Sequence, residues 1–179
     1  MVTVVLAATA HGVSAASLSG SYYGLLLAVQ GDQVSGAYAT SRGIGVVSGT
    51  PQFSCAFLLR GKLVNRRADV STWTPGEDAT VPGTLTLGPS GATLQLRDNQ
   101  PGCTMAVGDM VRSPKSMTRN RSGQDWIEVR MVAARRAVLR VAPRDDARTA
   151  PYLVDYDAVA VIAARPGWVR VRYLGHENR

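Results

Sequence analysis

The sequence predicts an all-β chain, an N-terminal antiparallel barrel or sandwich followed by a smaller second β unit. Three observations carry this. Apolar residues recur at every second position in short runs, as in Phe53-Ser54-Cys55-Ala56-Phe57-Leu58-Leu59, which is strand periodicity. Eighteen glycines and nine prolines cut the chain into short pieces. Helical periodicity is scarce, so strands must supply the layers of the core. At 179 residues the chain holds one medium or two small domains, and its 45% apolar content suffices for packed cores.

Met1–Ala15 reads as an export leader. Val2–Ala10 is a short apolar run, and Val13-Ser14-Ala15 has the small-residue spacing of a cleavage site before Ala16, although no basic residue precedes the run. Residues 16–110 then read as an antiparallel β domain of about seven short strands. Ser21–Gln30 is the first strand, Gly31-Asp32 a two-residue hairpin turn, and Gln33–Ala39 the return. The halves Gly20-Ser21-Tyr22-Tyr23-Gly24 and Val34-Ser35-Gly36-Ala37-Tyr38 are similar to the first hairpin of avidin- or lipocalin-type barrels. No binding residue follows from so short a likeness. Cys55, Phe57 and Leu59 alternate with Ala56 and Leu58, and Val70–Trp73 is a further short strand. Thr84–Leu87 and Ala92–Arg97 flank the turn Gly88-Pro89-Ser90-Gly91. Cys103, Met105 and Val107 are expected on the inward face of a last strand. Residues 111–125, polar, basic and without period, read as a linker.

The second unit, 126–179, is anchored by Tyr152–Tyr173. Ala158–Ala163 is a β-branched apolar run, Arg165-Pro166-Gly167 is turn chemistry, and Trp168–Tyr173 alternates cleanly. On that last strand Trp168, Arg170 and Arg172 share one face, while Val169, Val171 and Tyr173 share the face suited to a core. Ile127–Val132 and Ala137–Val141 supply upstream strands. With the Pro143-Arg144-Asp145 loop, Tyr152–Asp157 and the Gly167-Trp168-Val169-x-Val171 strand, residues 126–175 resemble the bacterial SH3-like (SH3b) family. Tyr156 stands where that family usually has glycine. The chain stops at Arg179, where the family continues to a last strand, so an open edge is expected.

Chemistry is sparse in the sequence. The only histidines are His11 and His176, so no base is held against a nucleophile, and a triad mechanism finds no support. Asp145-Asp146, Asp155-x-Asp157 and Glu77-Asp78 fall in turns, where aspartate bonds its own backbone. Gly43-Ile44-Gly45 is not followed by a helix, which argues against a phosphate loop. Cys55 and Cys103 are the only cysteines, and in an exported protein the pair reads most simply as a disulfide, the alternative being two buried thiols. They lack the histidine company of a zinc site, and no cofactor is expected.

The net charge is +7. Residues 1–110 balance six basic against six acidic side chains, and residues 111–179 carry fourteen against seven. The basic excess, almost all arginine, therefore belongs to the second half. No nucleic-acid motif accompanies it, and no apolar run reaches a membrane-spanning length. The candidate binding face comprises Tyr152, Tyr156, Arg165, Trp168, Arg170 and Arg172: aromatic faces stack on sugar or peptide groups, and arginine pairs with carboxylates. The resemblance implies peptidoglycan, or its carboxylate-bearing peptide stems, as the ligand class. The expectation is a non-enzymatic, periplasmic or secreted envelope protein binding wall material or an envelope protein. The alternative is an inhibitor or immunity protein against a wall-degrading enzyme, with a hydrolase carrying a targeting arm third.

Overall fold

A computed structural model describes residues 18–44 and 51–175, and the expected leader lies outside them. Eight antiparallel strands close into a barrel in chain order. They are β1 (Gly20–Tyr22), β2 (Leu25–Gln30), β3 (Gln33–Ile44), β4 (Pro51–Val64), β5 (Arg67–Trp73), β6 (Thr80–Leu87), β7 (Gly91–Leu96) and β8 (Lys115–Ser122). The expected turn at Gly31-Asp32 joins β2 to β3, with Gln30 opposite Gln33. Each strand pairs with its successor, and β8 returns to β1, with Gly20 opposite Ser122. Of barrel and sandwich, the barrel is what forms, and closure removes its sheet edges.

The inward positions are filled. Leu25 and Leu27 of β2, Phe57 and Leu59 of β4, and Leu85 and Leu94 are fully buried in one cluster. Space between them is tight: a Cβ on Gly36 would lie 2.8 Å from the Leu26 carbonyl oxygen and 3.2 Å from Leu59. Small residues let the large neighbours meet at the axis of a narrow barrel. Tyr38 stacks on Phe57 with ring centroids 5.2 Å apart, and burial pushes the Tyr38 phenol above its ordinary pKa.

One end of the barrel is closed by the segment between β7 and β8, which carries α1 (Thr104–Val107) and α2 (Asp109–Arg112). Ala106, Val107 and Met110 complete the barrel core. Cys103, just before α1, is disulfide-bonded to Cys55 of β4. Gln100 is fully buried and donates through Nε2 to Thr74 Oγ1 at 3.2 Å, while Thr72 Oγ1 donates to its Oε1 at 2.9 Å. Arg42 of β3 pairs with Asp109 of α2 at 2.9 Å.

Two expectations change here. The strand through Cys103, Met105 and Val107 is instead helical, and Met105 points outward, 64% exposed. Its apolar residues plug the barrel end rather than line its wall. Residues 115–122 of the expected linker are β8, the strand that closes the barrel, paired with β7 on one side and β1 on the other. Only Met117 of β8 is buried, so the strand has no apolar alternation to read. Its backbone hydrogen bonds, not its side chains, place it.

The C-terminal unit contains β9 (Glu128–Met131), β10 (Ala137–Arg140), β11 (Thr149–Leu153), β12 (Ala158–Arg165) and β13 (Trp168–Tyr173). They form a three-stranded sheet in the order β13-β12-β9 and a β10-β11 ribbon. Pro166-Gly167 turns the β12-β13 hairpin, with Gly167 at φ 78° and Arg165 opposite Trp168. This unit packs on the outside of β2 and β3. Leu26, Ala28 and Ala37 point outward from the barrel and meet Trp126, Val129, Ala160 and Leu174 in a second core. The unbroken apolar run Leu25–Val29 follows from this, since both faces of β2 are buried. Val129 N–H donates to Ser35 Oγ at 3.0 Å, and Arg60 pairs with Glu128 at 2.7 Å across the seam. Gly123 has no side chain because a Cβ there would run into the Trp126 indole.

Candidate functional site

Exposed apolar side chains concentrate on the C-terminal unit. Of the eleven large exposed ones among the described residues, the barrel contributes Tyr23, Phe53, Val64 and Met105, and the smaller unit the other seven. Surface apolar groups scattered singly need no explanation, and a concentration on a small unit makes that unit the candidate binding surface.

The β10-β11 ribbon presents the best-defined part of it. Val138 lies directly opposite Tyr152 and both are half exposed, at 50% and 52%. The Arg136 guanidinium sits 4.1 Å from the centroid of the Tyr152 ring. A cation over an aromatic face stabilises the pair and fixes both side chains in one arrangement. On the buried side of β11, Leu153 faces inward. Tyr152 is an expected contact residue, and the fold adds Arg136 and Val138 beside it. The signal was available in the alternation Arg136-x-Val138-x-Arg140, which puts these three on one strand face.

Tyr156 follows on the turn after β11. Its φ of 65° is left-handed, and its side chain is 42% exposed. The turn is held from below by Asp157, only 5% exposed, whose Oδ2 accepts from Val154 N–H at 2.9 Å and whose Oδ1 accepts from Tyr173 Oη–H at 3.0 Å. Asp157 thus serves the turn, as expected of an aspartate there, and Tyr156 holds a left-handed conformation that glycine adopts most easily.

The remaining candidates divide. Arg165 donates to the Pro143 carbonyl at 2.6 Å, fastening the hairpin tip to the loop after β10. Trp168 stands opposite Arg165 and is partly buried. Arg170 is exposed, and its guanidinium has no hydrogen-bond or ion-pair partner among the described residues. Arg172 is committed elsewhere: it pairs with Asp125 at 2.9 Å. It lies opposite Ala160, on the side of the sheet that packs against the barrel. The six residues therefore do not form one continuous face. Tyr152 and Tyr156 belong to the ribbon and its turn, Arg165, Trp168 and Arg170 to the hairpin, and Arg172 to the seam.

The core face expected on β13 is also revised. Val169 and Tyr173 are 42% and 38% exposed. A bulge between Val161 and Ala163 shifts the register, and the half of the hairpin that carries Val169 extends past the buried residues Val159, Ala160 and Val161, while Tyr173, opposite Val159, ends the strand.

No three histidine, cysteine or acidic side chains among the described residues are grouped to hold a metal ion. No described helix is long and apolar enough to cross a membrane. No protein-family model, curated protein or solved structure matches the chain.

Proposed function

We propose that this chain is a non-enzymatic binding protein of the bacterial cell envelope, and that its C-terminal unit, an SH3-like module, holds peptidoglycan. The observation that carries the reading is the ribbon face. Tyr152 is exposed and pre-ordered under Arg136, beside Val138 and close in sequence to Tyr156. An aromatic ring stacks on a sugar or peptide group, and a guanidinium next to it pairs with a stem carboxylate. The disulfide supports residence in an oxidising compartment. The filled barrel supports a scaffolding role for the first unit, since its inward positions are occupied by side chains.

The test is co-sedimentation with purified peptidoglycan sacculi at low and raised salt. Wild type is expected in the pellet at both. Arg136→Ala with Tyr152→Ala is expected to release it at least tenfold, and Arg170→Ala to weaken it less. Binding that disappears at raised salt would reduce the interaction to the attraction of a basic surface for an anionic polymer. Failure to pellet at either salt would overturn wall binding and leave an envelope protein as the partner of this face.

A further inference from the structure

The barrel carries a groove on its outer wall that the reading above does not use. It has a volume of about 360 Å³ and lies over β5, β6 and β7, remote in sequence from the ribbon. Its floor is polar: Thr84 and Thr86 of β6, and Thr93 and Gln95 of β7. Val111 and Pro114, from the segment that plugs the barrel end, raise one wall. Arg67 and Arg97 stand at its margins, both exposed. Neither guanidinium has a hydrogen-bond or ion-pair partner among the described residues.

The strand register fixes how these groups are laid out. Arg67, Thr86 and Thr93 form one cross-strand row. Asp69, Thr84 and Gln95 form the next, with Thr84 Oγ1 3.5 Å from Asp69 Oδ1. Arg97 lies one row further, its N–H bonded to the Pro82 carbonyl. Two row steps along the strands are about 13 Å, with two strand spacings of about 5 Å between the arginines as well. They sit at diagonal corners of the floor rather than side by side, where a single carboxylate would be clasped from both. A ligand that used both would be extended and carry more than one anionic group.

The floor narrows the class further. A bare polyanion would want donors only. Here the Gln95 carbonyl oxygen is an acceptor, and the three threonine hydroxyls both donate and accept. Such a floor is matched by a ligand that brings hydroxyl groups as well as carboxylates. We infer that the β5-β6-β7 groove is a binding site for an acidic oligosaccharide, with Arg67 and Arg97 on successive carboxylates and the threonine floor on the sugar hydroxyls.

The experiment is a titration of the full chain with oligogalacturonate of four to six units, followed by amide NMR shifts. The same oligosaccharide with its carboxylates methyl-esterified and hexaglutamate serve as comparison probes. The acidic oligosaccharide is expected to move resonances of β6 and β7, with the ester at least tenfold weaker. Arg67→Ala with Arg97→Ala should weaken binding at least tenfold. Thr84→Val with Thr93→Val, which keeps strand shape and charge, should weaken it severalfold. Circular dichroism confirms that each variant keeps the barrel. No shifts with the acidic oligosaccharide would overturn the site. So would equal binding of hexaglutamate together with indifference to the threonine changes, which would make the groove a plain anion patch. The Arg136 and Tyr152 variants should leave this titration unchanged, so loss of wall binding and loss of this site can be told apart.

Discussion

Tyr156 holds a backbone conformation that costs an L-residue about 1–2 kcal/mol relative to glycine. Its φ of 65° is imposed by the turn, which Asp157 and the Tyr156 N–H to Val132 carbonyl bond close around it. A bulky side chain kept at such a position points to a use for the side chain. Tyr156→Gly is therefore expected to raise the stability of the chain by about 1 kcal/mol, read by urea denaturation, while lowering retention on sacculi. A variant both less stable and fully retained would remove Tyr156 from the binding face. Charge at the residue scale is illustrated by Asp109. The hydrogen bond from Arg42 holds its carboxyl below the ordinary 3.8. A depressed carboxyl contributes stability above its unfolded value and loses it as pH falls through the folded one. Tethering of α2 to β3 is thus expected to persist to about pH 4 and weaken below it. In a carboxyl NMR titration, Arg42→Ala should return Asp109 to the ordinary range, and an unmoved midpoint would show that the ion pair does not set it.

At the scale of elements, the plug over the barrel end depends on one covalent tie. The Cys55–Cys103 bond closes a loop of 48 residues. Replacing both cysteines by serine is expected to cost about 4 kcal/mol by the chain-entropy argument, measured as a lowered urea midpoint with a steeper slope, since the unlinked unfolded chain exposes more surface. A cost near zero would mean that Met110 and Val107 hold the plug unaided. This level also shows what the sequence discloses. Strands with one wet face, such as β5, β6 and β7, alternate cleanly and were legible, as were the turns at Gly31-Asp32 and Pro166-Gly167. The disulfide was legible from a lone pair of cysteines together with the expected export leader. β8 was not, because a strand held by two neighbours can be polar on nearly every side chain. The Thr104–Val107 helix was hidden by its shortness, since one turn is compatible with strand spacing. The site was legible in its aromatic residues and illegible in its partners. Arg136 alternates with Val138 in the sequence, but its place over the Tyr152 ring shows only in the fold, and Arg172 reads as a surface arginine until Asp125 is seen beside it.

On the whole-molecule scale the two units share a core, and the run Leu25–Val29 serves both. Leu26 is 5% exposed although it points away from the barrel interior. Leu26→Asp would bury a carboxylate without a partner. It is expected to cost more than the roughly 2–5 kcal/mol of an apolar truncation. The C-terminal unit should detach and residues 123–127 become cleavable in limited proteolysis, while the disulfide-tied barrel stays resistant. Resistance throughout would show the seam to be dispensable. The closure of β8 on β1 also orders events in time. These strands pair residues about a hundred positions apart, so this contact forms late in folding, after the consecutive hairpins. During synthesis or export the barrel cannot complete until Ser122 has emerged. Trp126 arrives only four residues later, but Ala160 and Leu174, which complete the cover over Leu26, Ala28 and Ala37, follow up to about fifty residues after Ser122. The closed barrel therefore presents a sticky exterior patch until the last two strands have been made, an interval in which neighbouring chains can meet it first.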